Sequence, residues 1–285
     1  MRHRPAPIRR AKRIAKRIRS LALIAATIIL AGSVIYASLN DRRSKSAAET
    51  GADACSLTKV VMPESTPGIM LEYTGFTVNF NPEMHVPNYV AWELTAQETK
   101  GDLPRHNKFS PDKKVPGCPT LDDYRRSGFD RGHMAPAGDM KWDSQAMKDC
   151  FLLTNMCPQT SRLNSGRWND LENKCRTWAA RDSALIIICG PVLTDRLTRT
   201  IGDTKVVVPQ RFFKVIYAPY AKEPAMLAFV FSNTALPESL KDASRSVDEV
   251  EELTGLDFFA ELPDDIENSL ESKNAFHQWQ RSHRH

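Results

Sequence analysis

The chain has 285 residues, and its 39 Lys and Arg against 34 Asp and Glu give a formal charge of +5. Nine of those basic residues fall within the first 19 positions, and without them 30 basic residues face 34 acidic ones. The overall charge therefore reports the N-terminal segment and is excluded as an argument for nucleic-acid binding. No stretch repeats at a fixed period, which excludes a solenoid, and the six cysteines form no CxxC pair, which removes the common structural-zinc patterns.

Met1 to Arg19 is basic and free of acids, and Leu21 to Leu39 then runs 19 residues without a charge. At the helical rise such a run reaches roughly 28 Å, close to the hydrocarbon thickness of a bilayer. The expectation is a basic cytoplasmic tail over 1–20, a transmembrane signal-anchor over 21–39, a polar linker over 40–58 and an exported body. That arrangement suits a bacterial inner membrane with the body on the periplasmic side. Small residues at Ala31, Gly32, Ser33 and Ala37 keep a cleaved signal peptide, and so a secreted or periplasmic protein, as an alternative. A mitochondrial targeting segment, with the body at the inner membrane facing the intermembrane space, is the other.

The body, 59–272, is long enough for one domain with its own core. MLEYTGFTVNFNP and NYVAWELTAQ carry β-branched and aromatic runs broken by Gly and Pro, which predict strands. Ser127 to Met140, SGFDRGHMAPAGDM, then packs an acid, a guanidinium, a glycine and an imidazole into Asp130–His133. Gly132 lets the backbone bend or approach a ligand, and Arg131 offers a planar fork suited to phosphate oxygens. FLLTNMCPQ reads as a second short strand, and SRLNSGRWNDLENKCRTWAARD as a helix. On that helix Asn164, Trp168, Glu172 and Arg176 recur every four residues and share one stripe, beside Leu171, Cys175 and Trp178. Taken alone, Glu172 and Arg176 fit a structural ion pair.

ALIIICGPVL predicts a buried central strand, and KVVVP, RFFKVIY and MLAFVFS further strands. Ser246 and Glu249 form a capping box opening a helix through Leu253 that stops at Gly255, and 273–285 reads as a frayed tail. The cysteines all lie beyond the apolar segment, and an even count on an exported body favours disulfides. Cys150 and Cys157 would stand about 23 Å apart on one extended strand, out of reach of each other unless a turn intervenes, and Cys175 with Cys189 is the expected pair, with free buried thiols as the alternative for one or two of the six. Positive charge gathers around the motif blocks, with 15 basic and 10 acidic residues over 100–181.

FDRGHMAPAGDM, TNMCPQ and LNSGRWNDLE, in that order and spacing, resemble the DNA/RNA non-specific endonuclease family, the ββα-metal nucleases that include endonuclease G. RHNKFSPD, VPQRFFKVIY and VEELTGLDFFAELPD extend the resemblance over 59–272. It implies an α+β fold, a mixed or antiparallel sheet with an embedded ββα-metal motif. It also implies Mg²⁺-dependent hydrolysis of DNA and RNA without sugar preference, leaving 5′-phosphates, with Mn²⁺ or another divalent cation as substitute. His133 matches the general base, Asn164 the metal ligand, and Glu172 a glutamate beside the hydrated metal. Arg105 matches an arginine that clamps phosphate or offsets transition-state charge. Arg131 and Arg176 match further basic positions, and Asp130 and Asn155 match motif positions that orient backbone or water, Asn155 being placed on the substrate side, with a purely structural role for both as the alternative. A homodimer stays open, since some relatives dimerise. Two alternatives stand beside this reading: a catalytically silent nucleic-acid-binding envelope protein, which loss of His133 or Asn164 would mark, and a phosphodiesterase narrowed by the loop over 104–119.

Overall fold

The computed structural model describes residues 56–281 apart from 197–198. Among the described residues no helix is long and apolar enough to cross a membrane. The expected anchor over 21–39 and the tail over 1–20 lie outside them.

The strands are β1 (Val60–Val61), β2 (Ile69–Tyr73), β3 (Phe76–Asn81), β4 (Val86–Thr95), β5 (Asp130–His133), β6 (Met156–Gln159), β7 (Ala184–Pro191), β8 (Thr200–Ile201), β9 (Val206–Val207), β10 (Arg211–Ala218), β11 (Ala225–Ser232), β12 (Ser244–Arg245) and β13 (Asp257–Phe258). The helices are α1 (Leu121–Tyr124), α2 (Ser144–Asp149), α3 (Asn169–Asp182), α4 (Leu240–Ala243), α5 (Val247–Thr254), α6 (Asp264–Glu271) and α7 (Phe276–Arg281). Seven strands make one antiparallel sheet in the order β12-β11-β10-β7-β4-β3-β2. The architecture is α+β with an antiparallel sheet.

Both faces of that sheet are covered, and this explains the unbroken apolar runs. Along β7, Leu185, Ile187 and Cys189 enter one core while Ile186 and Ile188 enter the other. The first core also takes Leu171, Cys175 and Trp178 of α3 and the β5–β6 region; the second takes Val247 and Val250 of α5 and Phe258 of β13. The α5 capping box forms as predicted, with Ser246 Oγ accepting from the Glu249 N–H at 3.2 Å and the Glu249 carboxylate accepting from the Ser246 N–H at 2.7 Å. Gly255 closes the helix in the left-handed conformation at φ 72°.

Three expectations need correction. Cys118, Cys150, Cys157, Cys175 and Cys189 are free thiols, so the Cys175–Cys189 bridge is not formed. Cys189 Sγ instead donates to the Met134 carbonyl at 3.4 Å, and Cys175 is buried against the same core. These thiols pack as small apolar groups, a use that an even cysteine count cannot separate from pairing. The stretch after Ser272 is not frayed throughout: Phe276 and Trp279, three residues apart on α7, are buried, and the Trp279 ring stands 4.8 Å from that of Trp178. In FLLTNMCPQ only Met156–Gln159 forms a strand, because Leu153–Asn155 forms a single tight turn, and Leu152 before it makes only an isolated parallel bridge to Ser110.

Candidate active site

β5 and β6 pair antiparallel on the first face, with His133 opposite Met156 and Gly132 opposite Cys157. A widened helical turn, Leu163–Trp168, follows β6 and leads into α3. Strand, strand and helix thus meet in the order read from the chain. The helix is not continuous, however: Gly166 has φ −104° and ψ −111°, which breaks the turn between Asn164 and α3. The four-residue stripe is bent there. Trp168 turns inward, is 1 % exposed, and donates its Nε1 to the His133 carbonyl at 3.1 Å, tying the helix start to the end of β5.

His133 is 7 % exposed and its Nε2 is buried with no hydrogen-bond partner. The rings of Phe151 and Phe109 wall it at 4.9 and 5.4 Å between centroids. Burial first, and then the positive charges of Arg105 and Arg131, push its pKa down to about 3. The imidazole is therefore neutral across the physiological range but only weakly basic in the free protein, and the negative charge of a bound phosphate would raise its affinity for a proton. The two arginines stack on the same aromatic walls, Arg105 4.9 Å above the Phe151 ring and Arg131 4.4 Å above Phe109. Arg105 is exposed and donates Nε to Asn107 Oδ1 at 2.9 Å, whereas Arg131 Nε is buried without a partner.

Asp130 organises the entry to the helix. Its carboxylate accepts from Ser161 Oγ at 2.8 Å and from Asn164 Nδ2 at 3.0 Å. Giving its amide hydrogen to Asp130 leaves the Asn164 Oδ1 available as a ligand. Glu172 is half-buried on α3, and no described residue donates a hydrogen bond to its carboxylate. Burial raises its pKa to about 7, Asp139 adding to the rise while Lys214, Arg176 and Arg105 oppose it. A neutral amide oxygen and an unbonded carboxylate are hard oxygen donors, so the residues present fit a divalent cation of the Mg²⁺ kind.

Two expected substrate contacts are committed elsewhere. Asn155 is fully buried: its Oδ1 accepts from the Ala135 N–H and its Nδ2 donates to the carbonyls of Ala135 and Cys150, all at 2.9 Å. It fixes the chain that follows His133. Arg176 does not pair with Glu172 through hydrogen bonds but with Asp139, Nη1 to Oδ1 at 2.6 Å, and with Asn173 at 2.8 Å. Asp139 is buried and also accepts from Trp92 Nε1 at 3.2 Å.

Lys214 was not among the expected site residues. It is 1 % exposed on β10, and its Nζ lies 4.4 Å from the Trp168 ring centroid and 5.1 Å from that of Trp92. Desolvation works against its charge, but Cys189, Glu172, Cys175 and Asp139 outweigh this and raise its pKa. A lysine inside an apolar strand was the readable signal; Asp139 stood inside the motif block itself.

What requires Gly132 in this structure is space on the neighbouring strand. A Cβ there would meet Gln159 Oε1 at 2.0 Å and Gln159 Cδ at 2.3 Å, because Gln159, fully buried, lies diagonally across the pair on the same face. Gly132→Ala is expected to destabilise the protein by about 1–3 kcal/mol through overpacking, read as a lower urea midpoint. An unchanged midpoint would mean that the strands separate freely.

The DNA/RNA non-specific endonuclease family model matches residues 54–265. The mitochondrial nuclease EXOG of Mus musculus is 36 % identical over 208 residues, which is 67 % of this chain and 56 % of that protein. The mitochondrial nuclease EXOG of Homo sapiens is 37 % identical over 211 residues, again 67 % of this chain and 56 % of that protein. The chain thus matches a little over half the length of these relatives. Among solved structures, that of the EndoG/EndoGI complex, which addresses the mechanism of EndoG inhibition, is similar with a TM-score of 0.65 and 28 % identity, covering 69 % of this chain and 89 % of that one.

Proposed function

The chain belongs to the DNA/RNA non-specific endonuclease family, and from that premise we propose that it hydrolyses internal phosphodiester bonds of DNA and RNA with the help of a divalent cation. The observation that carries this reading is the neutral, buried imidazole of His133 set between Arg105 and Arg131. In the proposed reaction a ring nitrogen of His133 takes a proton from water as the water oxygen bonds to phosphorus. The P–O3′ bond breaks, the 3′ oxygen gains a proton, and the phosphate stays on the 5′ side.

Arg105 and Arg131 stand beside the base, where their guanidinium forks would hold the phosphate oxygens. Asn164 would hold the cation, and Glu172 the water shell around it. When bound, Mg²⁺, or Mn²⁺ in its place, supplies charge compensation on the phosphoryl and leaving oxygens. Arg176 acts one step back, fixing Asp139 beside the Glu172 helix. The groups gathered here address phosphate and water, which DNA and RNA share, and this supports a substrate class without sugar preference. For localisation, the basic tail and the run over 21–39 support an exported, membrane-anchored body; the two relatives are named as mitochondrial, which fits the mitochondrial alternative.

The test is nicking of supercoiled plasmid and degradation of single-stranded RNA by the purified full-length chain, with Mg²⁺ or with EDTA. Cleavage of both polymers with Mg²⁺, its loss in EDTA and its return on adding excess Mg²⁺ are expected. Cleavage persisting in EDTA would remove the cation from the mechanism. Binding without cleavage, by folded and metal-supplied protein, would make the chain a nucleic-acid-binding envelope protein instead.

A further inference from the structure

On the second face of the sheet, the one opposite His133, α5 and α6 bring carboxylates together. Asp248 and Glu251 stand one turn apart on α5, and Glu271 ends α6. One oxygen from each of the three lies within 4.8 Å of the others. Glu271 is only 5 % exposed, and its Oε1 has no hydrogen-bond partner. Glu251 Oε1 accepts from the Phe258 N–H at 2.7 Å, which fixes the carboxylate and leaves its second oxygen for the cluster. Asp248 is exposed and gives the group an opening to solvent.

No positive side chain answers this charge: among the described residues no Lys, Arg or His forms an ion pair with any of the three. The charges acting most strongly on Glu271 are those of Glu251, Glu267, Asp248 and Asp257, all carboxylates. Burial, reinforced by these neighbours, pushes Glu271 up to about 9 and Glu251 up to about 7. Carboxylates held together without a counter-ion, with Glu271 among them out of water, are costly to the fold. A buried carboxylate oxygen facing two others is what a cation would complete.

We propose that Asp248, Glu251 and Glu271 form a second divalent-cation site, separate from Asn164 and suited to Ca²⁺, which clamps α5 to α6. The donors are all carboxylate oxygens, with no imidazole or thiolate to draw a softer metal. Ca²⁺ accepts several carboxylates in irregular geometry and fills its remaining positions with water, whereas Mg²⁺ demands a tighter octahedron and sheds water reluctantly. The site is independent of the nuclease reading, since α5 and α6 lie across the sheet from the core that holds the β5–β6 region.

The test uses the full-length chain stripped of metal and carrying Asn164→Ala, so that binding at the candidate active site does not contribute. Equilibrium dialysis is expected to give about one bound Ca²⁺ per chain, and Ca²⁺ to raise the unfolding temperature, as any ligand of the folded state does. Adding Glu271→Gln or Asp248→Asn should abolish both effects. With Asn164 intact, the same two variants should retain Mg²⁺-dependent plasmid nicking. Asp248→Asn alters an exposed side chain and keeps the test open if Glu271→Gln disturbs folding. Absence of Ca²⁺ binding in the Asn164→Ala protein, or binding that survives both further substitutions, overturns the site and leaves a cluster neutralised by protons alone.

Discussion

His133→Ala will lower cleavage of plasmid DNA and of RNA about 10²- to 10⁴-fold, the loss expected when a positioned base is removed from a proton transfer. Three features make this the sharpest test of the site. The ring is buried between Phe109 and Phe151, its Nε2 finds no hydrogen-bond partner among the described residues, and burial with Arg105 and Arg131 holds its pKa down at about 3. The imidazole is thus kept neutral by an environment that would hold a phosphate beside it. The same shift has a stability consequence whose sign is opposite to that of a salt-bridged histidine. Between the ordinary value near 6.5 and about 3, the unfolded chain binds a proton that the folded chain refuses, so stability falls as pH falls through that window. His133→Ala removes this contribution. Urea unfolding at about pH 7 and about pH 5 should therefore show a smaller acid loss in the variant than in the wild type, whereas full activity in the variant would end the general-base assignment.

The parts of the site legible in the sequence are those whose chemistry is local. Asp130–His133 compresses its groups into four residues, and Asn164 and Glu172 follow on a segment with helical period, so the order of strand, strand and helix is legible without their packing. Residues whose role depends on what lies across the sheet could not be placed in that way. Lys214 shares a face of β10 with Phe212 and Ile216, and its meaning appears only once α3 covers that face and sets Trp168 above it. Spacing aligns Arg176 with Glu172, yet its shortest partner is Asp139, 37 positions earlier. Gly132 invited a local explanation, a bend or a ligand, but the atom that needs the space belongs to Gln159 on the neighbouring strand. The cysteines failed for a related reason: their number speaks to compartment, while their pairing depends on distances that only the fold sets.

Lys214→Met is expected to cut activity at neutral pH and to move the acid limb of the pH–rate profile upward. Glu172 has its pKa raised to about 7 by burial, and Lys214 is the largest charge opposing that rise. Methionine fills a similar volume between Trp92 and Trp168 but removes the charge, so the Glu172 pKa climbs further. If Glu172 must be a carboxylate to hold the water around the cation, each further unit costs about ten-fold in the ionised fraction below the limb. Raising the pH restores that fraction, so the variant should recover toward wild-type rates in alkali. The stability effect runs the other way: a folded-state pKa above the ordinary value near 4.3 means that the native protein holds the proton more tightly, and stability falls as pH rises through the window up to about 7. In Lys214→Met that window extends to higher pH, so the variant should unfold more easily precisely where its activity returns. Lys214→Arg keeps the charge but brings a broader planar group between the two indoles, and should leave the limb near its wild-type position even if stability drops. A uniform loss of activity at every pH, with no movement of the limb in Lys214→Met, would reduce Lys214 to a packing residue and detach Glu172 from the acid limb.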